Sequence, residues 1–235
     1  MLSPLIRTVA TGLLLSLVGC IATQGPLSPA DRASLGRMKV KSALGDEYAF
    51  VHVGTTVFNN KRYTVPLPNW GLDHWVERTT VQALQSYGAS GSTPGTQVSS
   101  GRMYVGGSKA EQAAVLDEAA REGFDTVVLV NYFSSDNSPQ FAGSYYGLYS
   151  RETLGKRSTC TFVNFAVRVM RVKGSAEIGT EYVTSCAPIQ TVSWKASFND
   201  YSSDEKAQLK QQLEGQIERG VQAALQRLAL VTQVK

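Results

Sequence analysis

Apolar and polar positions alternate along the chain in a way that divides it into elements. Met38 to Leu44 and Tyr48 to Val57, the latter carrying Tyr48, Phe50, Val51, Val53 and Val57, read as two strands. Gly45-Asp46 divides them, which predicts an opening hairpin. Asn59 to Asn69 contains Pro66 and Pro68, and two prolines so close exclude a central strand, so a loop is expected there. From Trp70 to Tyr87 the residues Leu72, Trp75, Val76, Ala83, Leu84 and Tyr87 recur at helical spacing before Gly88, predicting a helix laid on a sheet.

Residues 89–95, rich in Gly, Ser and Pro, form a link into a short strand from Gln97 to Val105. Ser108 and Glu111 then have the spacing of a capping box, Ala114, Val115, Ala119 and Ala120 mark a helix, and Gly123 closes it. The uninterrupted run Thr126-Val127-Val128-Leu129-Val130 has the pattern of a strand buried on both faces, in the middle of the sheet. Ser134 to Ser158 is polar and reads as a long surface loop or a loosely paired edge hairpin. Two β-rich runs, Thr161 to Val172 and Glu181 to Val192, flank Lys173-Gly174-Ser175, with Val163, Phe165, Val167 and Val169 on one face.

A final helix is expected from Ser203 to Leu230. Leu209, Leu213, Ile217, Val221, Leu225 and Leu228 form its stripe, and Asp204 and Glu205 sit near its positive N-terminal pole. The order β-β-α-β-α-β-β-β-α implies an α/β (α+β) fold: a single mixed sheet covered by about three helices, with a long C-terminal helix.

Ahead of these elements the pattern changes. Arg7 precedes the apolar run Val9, Ala10, Leu13, Leu14, Leu15, Leu17 and Val18, the charged and apolar regions of an export signal. A spanning helix needs about 20 consecutive apolar residues, and this run stops short of that. It ends in Leu17-Val18-Gly19-Cys20, which resembles the lipobox of bacterial lipoproteins. The resemblance implies cleavage of residues 1–19, a diacylglycerol on the Cys20 thiol and acylation, such as palmitate, of the new amino terminus. Stable anchoring takes two chains or a second signal, which such a residue supplies. Ile21, in place of the Asp that retains such proteins at the inner membrane, implies the outer membrane, with the domain facing the periplasm. Residues 20–37, with Thr23, Gln24, Gly25, Pro26, Ser28 and Pro29, are expected to form a flexible tether, leaving 38–235 as one globular domain.

With Cys20 committed to lipid, Cys160 and Cys186 remain. Residue 173 lies midway between them, so antiparallel pairing about that turn brings them near each other. An exported protein keeps disulfides, and a structural disulfide is the expectation, with two buried thiols as the alternative.

The net charge of +4 is scattered, with no Lys/Arg stripe of the kind that marks a nucleic-acid footprint. Chemistry is sparse. His52 and His74 are the histidines; His74 adjoins Asp73, but neighbours on a helix face different directions, so a shared metal is not expected. Gly106-Gly107-Ser108-Lys109-Ala110 lacks the second glycine of a nucleophile elbow, and Gly88, Gly91 and Gly95 lack the ending of a phosphate loop. No cofactor is called for. What remains is a candidate binding surface of loop aromatics, Tyr63 and Trp70 beside the prolines and Tyr145, Tyr146 and Tyr149, with packing at the core's edge as the alternative.

The element order also resembles the periplasmic α/β domain shared by the curli secretion lipoprotein, the lipoprotein activators of penicillin-binding proteins and the N-terminal domain of the Tol-system propeller protein. That resemblance implies protein binding or scaffolding. The expected function is therefore a non-enzymatic scaffold or regulator that binds another envelope protein or peptidoglycan. Two alternatives stand beside it: a glycan or peptide hydrolase using carboxylates among Asp46, Asp73, Asp125 and Asp136, and a subunit of a secretion or motility ring.

Overall fold

A computed structural model describes residues 25–91, 109–132 and 146–232. In chain order the described elements are α1 (Pro29–Ala33), β1 (Met38–Ala43), β2 (Glu47–Val53), β3 (Lys61–Pro66), α2 (Leu72–Ala83), α3 (Lys109–Arg121), β4 (Thr126–Tyr132), β5 (Tyr146–Thr153), β6 (Lys156–Arg171), β7 (Ala176–Pro188) and α4 (Ser203–Arg227), with short 3-10 turns between some of them. The fold is mixed α+β: one seven-stranded sheet, with the four helices of the described residues and a long C-terminal one.

The sheet is organised around β6. Its N-terminal half pairs antiparallel with β5 and its C-terminal half with β4, so that β4 and β5 lie end to end along one edge of it. The other edge carries β7 over most of its length. Beyond β4 lies β1, and beyond β5 lies β2, both parallel to their neighbours. The expected opening hairpin is therefore not formed. β1 and β2 run on in the same direction, each beside a different strand, and Gly45, at φ +78°, marks a break in a long strand rather than a reversal. The loop expected over Asn59 to Asn69 also contains a strand. β3 pairs with β2 at the edge of the sheet, and Pro66 is tolerated because it is the strand's last residue and the outer side needs no donor.

Alternation places the core on both faces. Val128 and Val130 of β4 join Val40, Phe50, Leu148 and Phe165 under α2 and α4, whereas Val127 and Leu129 pack with Val115, Leu116 and Ala119 of α3 on the opposite face. The run at 126–130 is buried throughout, as its composition implies. α4 starts at a capping box, in which the Ser202 hydroxyl accepts from the Glu205 amide and the Glu205 carboxylate accepts from the Ser202 amide. Gly220 lets it approach closely: a Cβ there would lie 2.8 Å from a Val183 methyl and 2.9 Å from the Phe165 ring.

The folded part begins earlier than the sequence pattern suggests. Leu27 and Leu35 are buried in the main core, α1 lies between them, and Arg171 bonds Asp31 at 3.0 Å. The expected tether of residues 20–37 is shortened at its far end accordingly. Every buried apolar residue of the described core lies between Leu27 and Leu230, so the chain from Gly25 onward holds that core complete. The expected strand at 97–105, the cap at Ser108 and the lipobox cysteine Cys20 lie outside the described residues.

Candidate functional site

Among the described residues, the side chains flagged for chemistry or binding converge on two places. The first is the break between β1 and β2. Asp73, in the first turn of α2, reaches back across it: Oδ1 accepts from the Ser42 hydroxyl at 2.6 Å and the Leu44 amide at 2.7 Å, and Oδ2 accepts from the Gly45 amide at 3.0 Å. Glu77, one turn further on, accepts from the Ser42 amide at 3.0 Å. The Tyr146 hydroxyl donates to the Gly45 carbonyl at 2.8 Å, and the Leu67 amide donates to the Asp46 carbonyl at 2.8 Å. A break in a strand strands backbone groups that the ladder would otherwise pair, and these side chains take them up.

Burial pushes the Asp73 carboxyl above its usual range, the three donors pull it back, and the neighbouring Glu77 charge adds to the rise. Both carboxylates are thus engaged in holding backbone. Of the acids proposed for glycan cleavage, Asp46 and Asp73 both stand at this break, with Asp73 held by three donors, whereas Asp125 lies at the opposite end of β1, accepting from the Arg37 amide at 2.8 Å, and Asp136 is outside the described residues. Replacing Asp73 by Asn turns an acceptor towards the Gly45 amide into a donor. Since bonds to charged groups contribute about 1.5–3 kcal/mol, Asp73→Asn is expected to lower stability by about 2 kcal/mol in urea denaturation. An unchanged midpoint would return Asp73 to the list of candidate acids.

The second place is the aromatic seam where the chain from Ile189 to Tyr201 straps across β2 and β3. Tyr63 stacks on Phe50 with ring centroids 4.7 Å apart and donates its hydroxyl to the Lys195 carbonyl at 3.0 Å. The Lys195 amide donates to the Tyr201 hydroxyl at 2.8 Å, and its ammonium pairs with Glu205 at 2.6 Å. Burial raises the phenol of Tyr63 well above its ordinary value and that of Tyr201 to about 12. Trp70 is half-buried, edge-on to Tyr48 at 5.3 Å.

These positions correct the reading of an exposed aromatic surface. Tyr146 and Tyr149 are not on a loop but on β5, an inner strand, and are only 3 % and 6 % exposed, on opposite faces of the sheet. Tyr145 lies outside the described residues. Core-edge packing, the alternative, describes Tyr63 and Trp70. The strap residues Trp194, Phe198 and Tyr201 were not singled out from the sequence, although their spacing beside Lys195 was visible there.

His52 faces Trp194, with ring centroids 5.0 Å apart, and its Nδ1 is 3.4 Å from the Ser150 hydroxyl. Burial, and then the nearby Arg157 charge, hold its pKa below the ordinary value. Ser150 is fully buried, which keeps any carbonyl substrate from its oxygen. His74 lines a shallow depression of about 310 Å³ along α2, with Glu77, Arg78, Val81 and Gly91. No cluster of three or more His, Cys, Asp or Glu able to hold a metal occurs among the described residues. Cys160 and Cys186 are joined by a disulfide across β6 and β7, Cα to Cα 5.5 Å.

No family model matches the chain. No curated protein matches it either. Solved structures do resemble it in outline. One is a PelC dodecamer from Paraburkholderia phytofirmans, 10% identical over 90% of this chain and 96% of that one, with a TM-score of 0.39. Another is a DUF330 protein from Xanthomonas campestris, 11% identical over 89% of this chain and 93% of that one, with a TM-score of 0.38.

Proposed function

We propose that this chain is an envelope lipoprotein whose domain acts as a non-enzymatic scaffold or binding module, held at the outer membrane through Cys20. The observation that carries the reading is the sequence Leu17-Val18-Gly19-Cys20 at the end of an apolar leader, seven residues ahead of Leu27, the first buried side chain of the described residues. So short a connection keeps an anchored domain close to its bilayer. The engaged state of Asp73 and Glu77 and the burial of Ser150 support a binding role over hydrolysis. No described helix is long and apolar enough to cross a membrane. The partner belongs to the same compartment, another envelope protein or peptidoglycan.

Intact-mass measurement of membrane-extracted protein tests the anchor. The expected mass is that of the chain from Cys20 plus acyl groups, and Cys20→Ala is expected to abolish both the acyl mass and the processing. An unacylated wild type starting elsewhere would leave an ordinary exported domain.

A further inference from the structure

At the end of the sheet where β2 and β5 finish, two turns stand side by side. One leads from β2 through Thr55 and Thr56 into the 3-10 turn Val57–Asn59; the other, Leu154-Gly155, joins β5 to β6. The strands beneath them run parallel, Val53 opposite Arg151, and the Thr55 hydroxyl donates to the Glu152 carbonyl at 3.4 Å. These two turns carry the exposed large apolar side chains of the described residues: Val57 at 75 %, Phe58 at 92 % and Leu154 at 86 % exposure. One exposed leucine needs no explanation, whereas three large apolar groups gathered on one end mark a contact surface.

Leu154 is unusual in a second way. It sits at φ +50°, a left-handed turn position where Asn, Asp or Gly is favoured over any residue with a bulky side chain. Neither the turn geometry nor water favours leucine there, and such a departure points to function.

The charge around the tip is net positive. Lys61, Arg151, Lys156 and Arg157 are all exposed, and the one carboxylate on these segments, Glu152, is already paired with Arg157 at 2.9 Å. We infer that this tip is a lipid-contacting device: Val57, Phe58 and Leu154 insert at the headgroup boundary of a bilayer while the four cations lie against anionic phosphates. Narrow protruding turns offer too little area for a stable rigid protein interface, but they suit a fluid surface that closes round them. The cations select bilayers rich in anionic lipid.

The tip lies far from the start of the fold. Leu27 bonds to the Leu228 carbonyl beside Gly179, near the β6–β7 turn, while Leu154 stands at the other end of β6, whose 16 residues span about 50 Å.

Co-sedimentation with vesicles tests the inference, using the chain from Gly25 onward so that neither leader nor acyl group contributes. Wild type is expected to pellet with mixed phosphatidylcholine–phosphatidylglycerol vesicles, poorly with phosphatidylcholine alone, and less as salt rises. Phe58→Ser combined with Leu154→Asn should weaken partitioning at least about tenfold with an unchanged or raised melting temperature. A Phe58→Trp variant should gain an emission component quenched by brominated lipid in the anionic vesicles. Wild type that stays in the supernatant overturns the inference, as does a double variant that pellets equally well. So does a wild-type dimer in sedimentation velocity that the double variant dissolves, because the tip would then be a contact between copies of this chain.

Discussion

Replacing Gly147 by alanine is expected to unfold the domain or cost it more than about 3 kcal/mol, the largest effect of any single added methyl group among the described glycines. Gly147 lies on β5, between β2 and β6, and pairs with Ala49. A Cβ built on it overlaps the Ala49 carbonyl oxygen outright and lies 2.7 Å from the carbonyl carbon. The obstacle is the backbone of a neighbouring strand, not the end of a mobile side chain, so relief requires parting β2 from β5 and losing ladder bonds and core contacts together. Gly215, in the interior of α4, provides the contrast. A Cβ there meets only the end of the Arg219 side chain at 3.4 Å, and alanine is the better helix former by about 0.5–1 kcal/mol. Urea denaturation of Gly147→Ala and Gly215→Ala side by side should therefore move in opposite directions. A Gly147→Ala protein with wild-type stability would show that β2 and β5 are not paired as described.

The sequence pattern located elements better than it located their partners. The run Val127-Val128-Leu129-Val130 could only be a strand buried on both faces, and the stripe from Leu209 to Leu228 only a long amphipathic helix; both stand where expected. The opening hairpin failed because Gly45-Asp46 between two strands has the same local signature whether the chain reverses or merely kinks. What decides is the parallel neighbour supplied by β4 and β5, more than 80 residues further along the sequence. β3 was hidden because proline reports on the inner side of a sheet, and an edge strand that ends in proline violates nothing.

The candidate site was legible in residue type and not in role. Asp73 and Tyr146 were singled out for separate reasons, one as a possible acid and one as a binding aromatic, yet both serve the same kink, bonding Gly45 from opposite sides through its amide and its carbonyl. Side chains that satisfy a strand break come from distant elements, and no spacing announces them. Val57 and Leu154 had the reverse problem: the pattern puts Val57 at the end of a strand and Leu154 inside a polar stretch, and only the turn geometry brings them out together beside Phe58.

Removing the covalent link between Cys160 and Cys186 is expected to cost about 3.5 kcal/mol, the chain-entropy value for closing a loop with a sequence separation of 26. For a domain of this size that lowers the melting temperature by roughly 10 °C. The double variant Cys160→Ala/Cys186→Ala isolates the cross-link, since single variants leave a thiol free. The location makes the loss local as well as global. Among the described residues β7 pairs on one side only, with β6, and near the hairpin turn at 172–175 the chain itself holds the two strands together. At the far end of β7 that work falls to the disulfide. Hydrogen exchange should consequently speed up first over Val183–Pro188 in the double variant and in the reduced wild type alike, while β4 stays protected. Equal exchange and equal melting in oxidised and reduced protein would mean that the strand pairing and the Gln212 amide, bonded to the Ala187 and Pro188 carbonyls at 3.2 and 2.9 Å, hold that end without it.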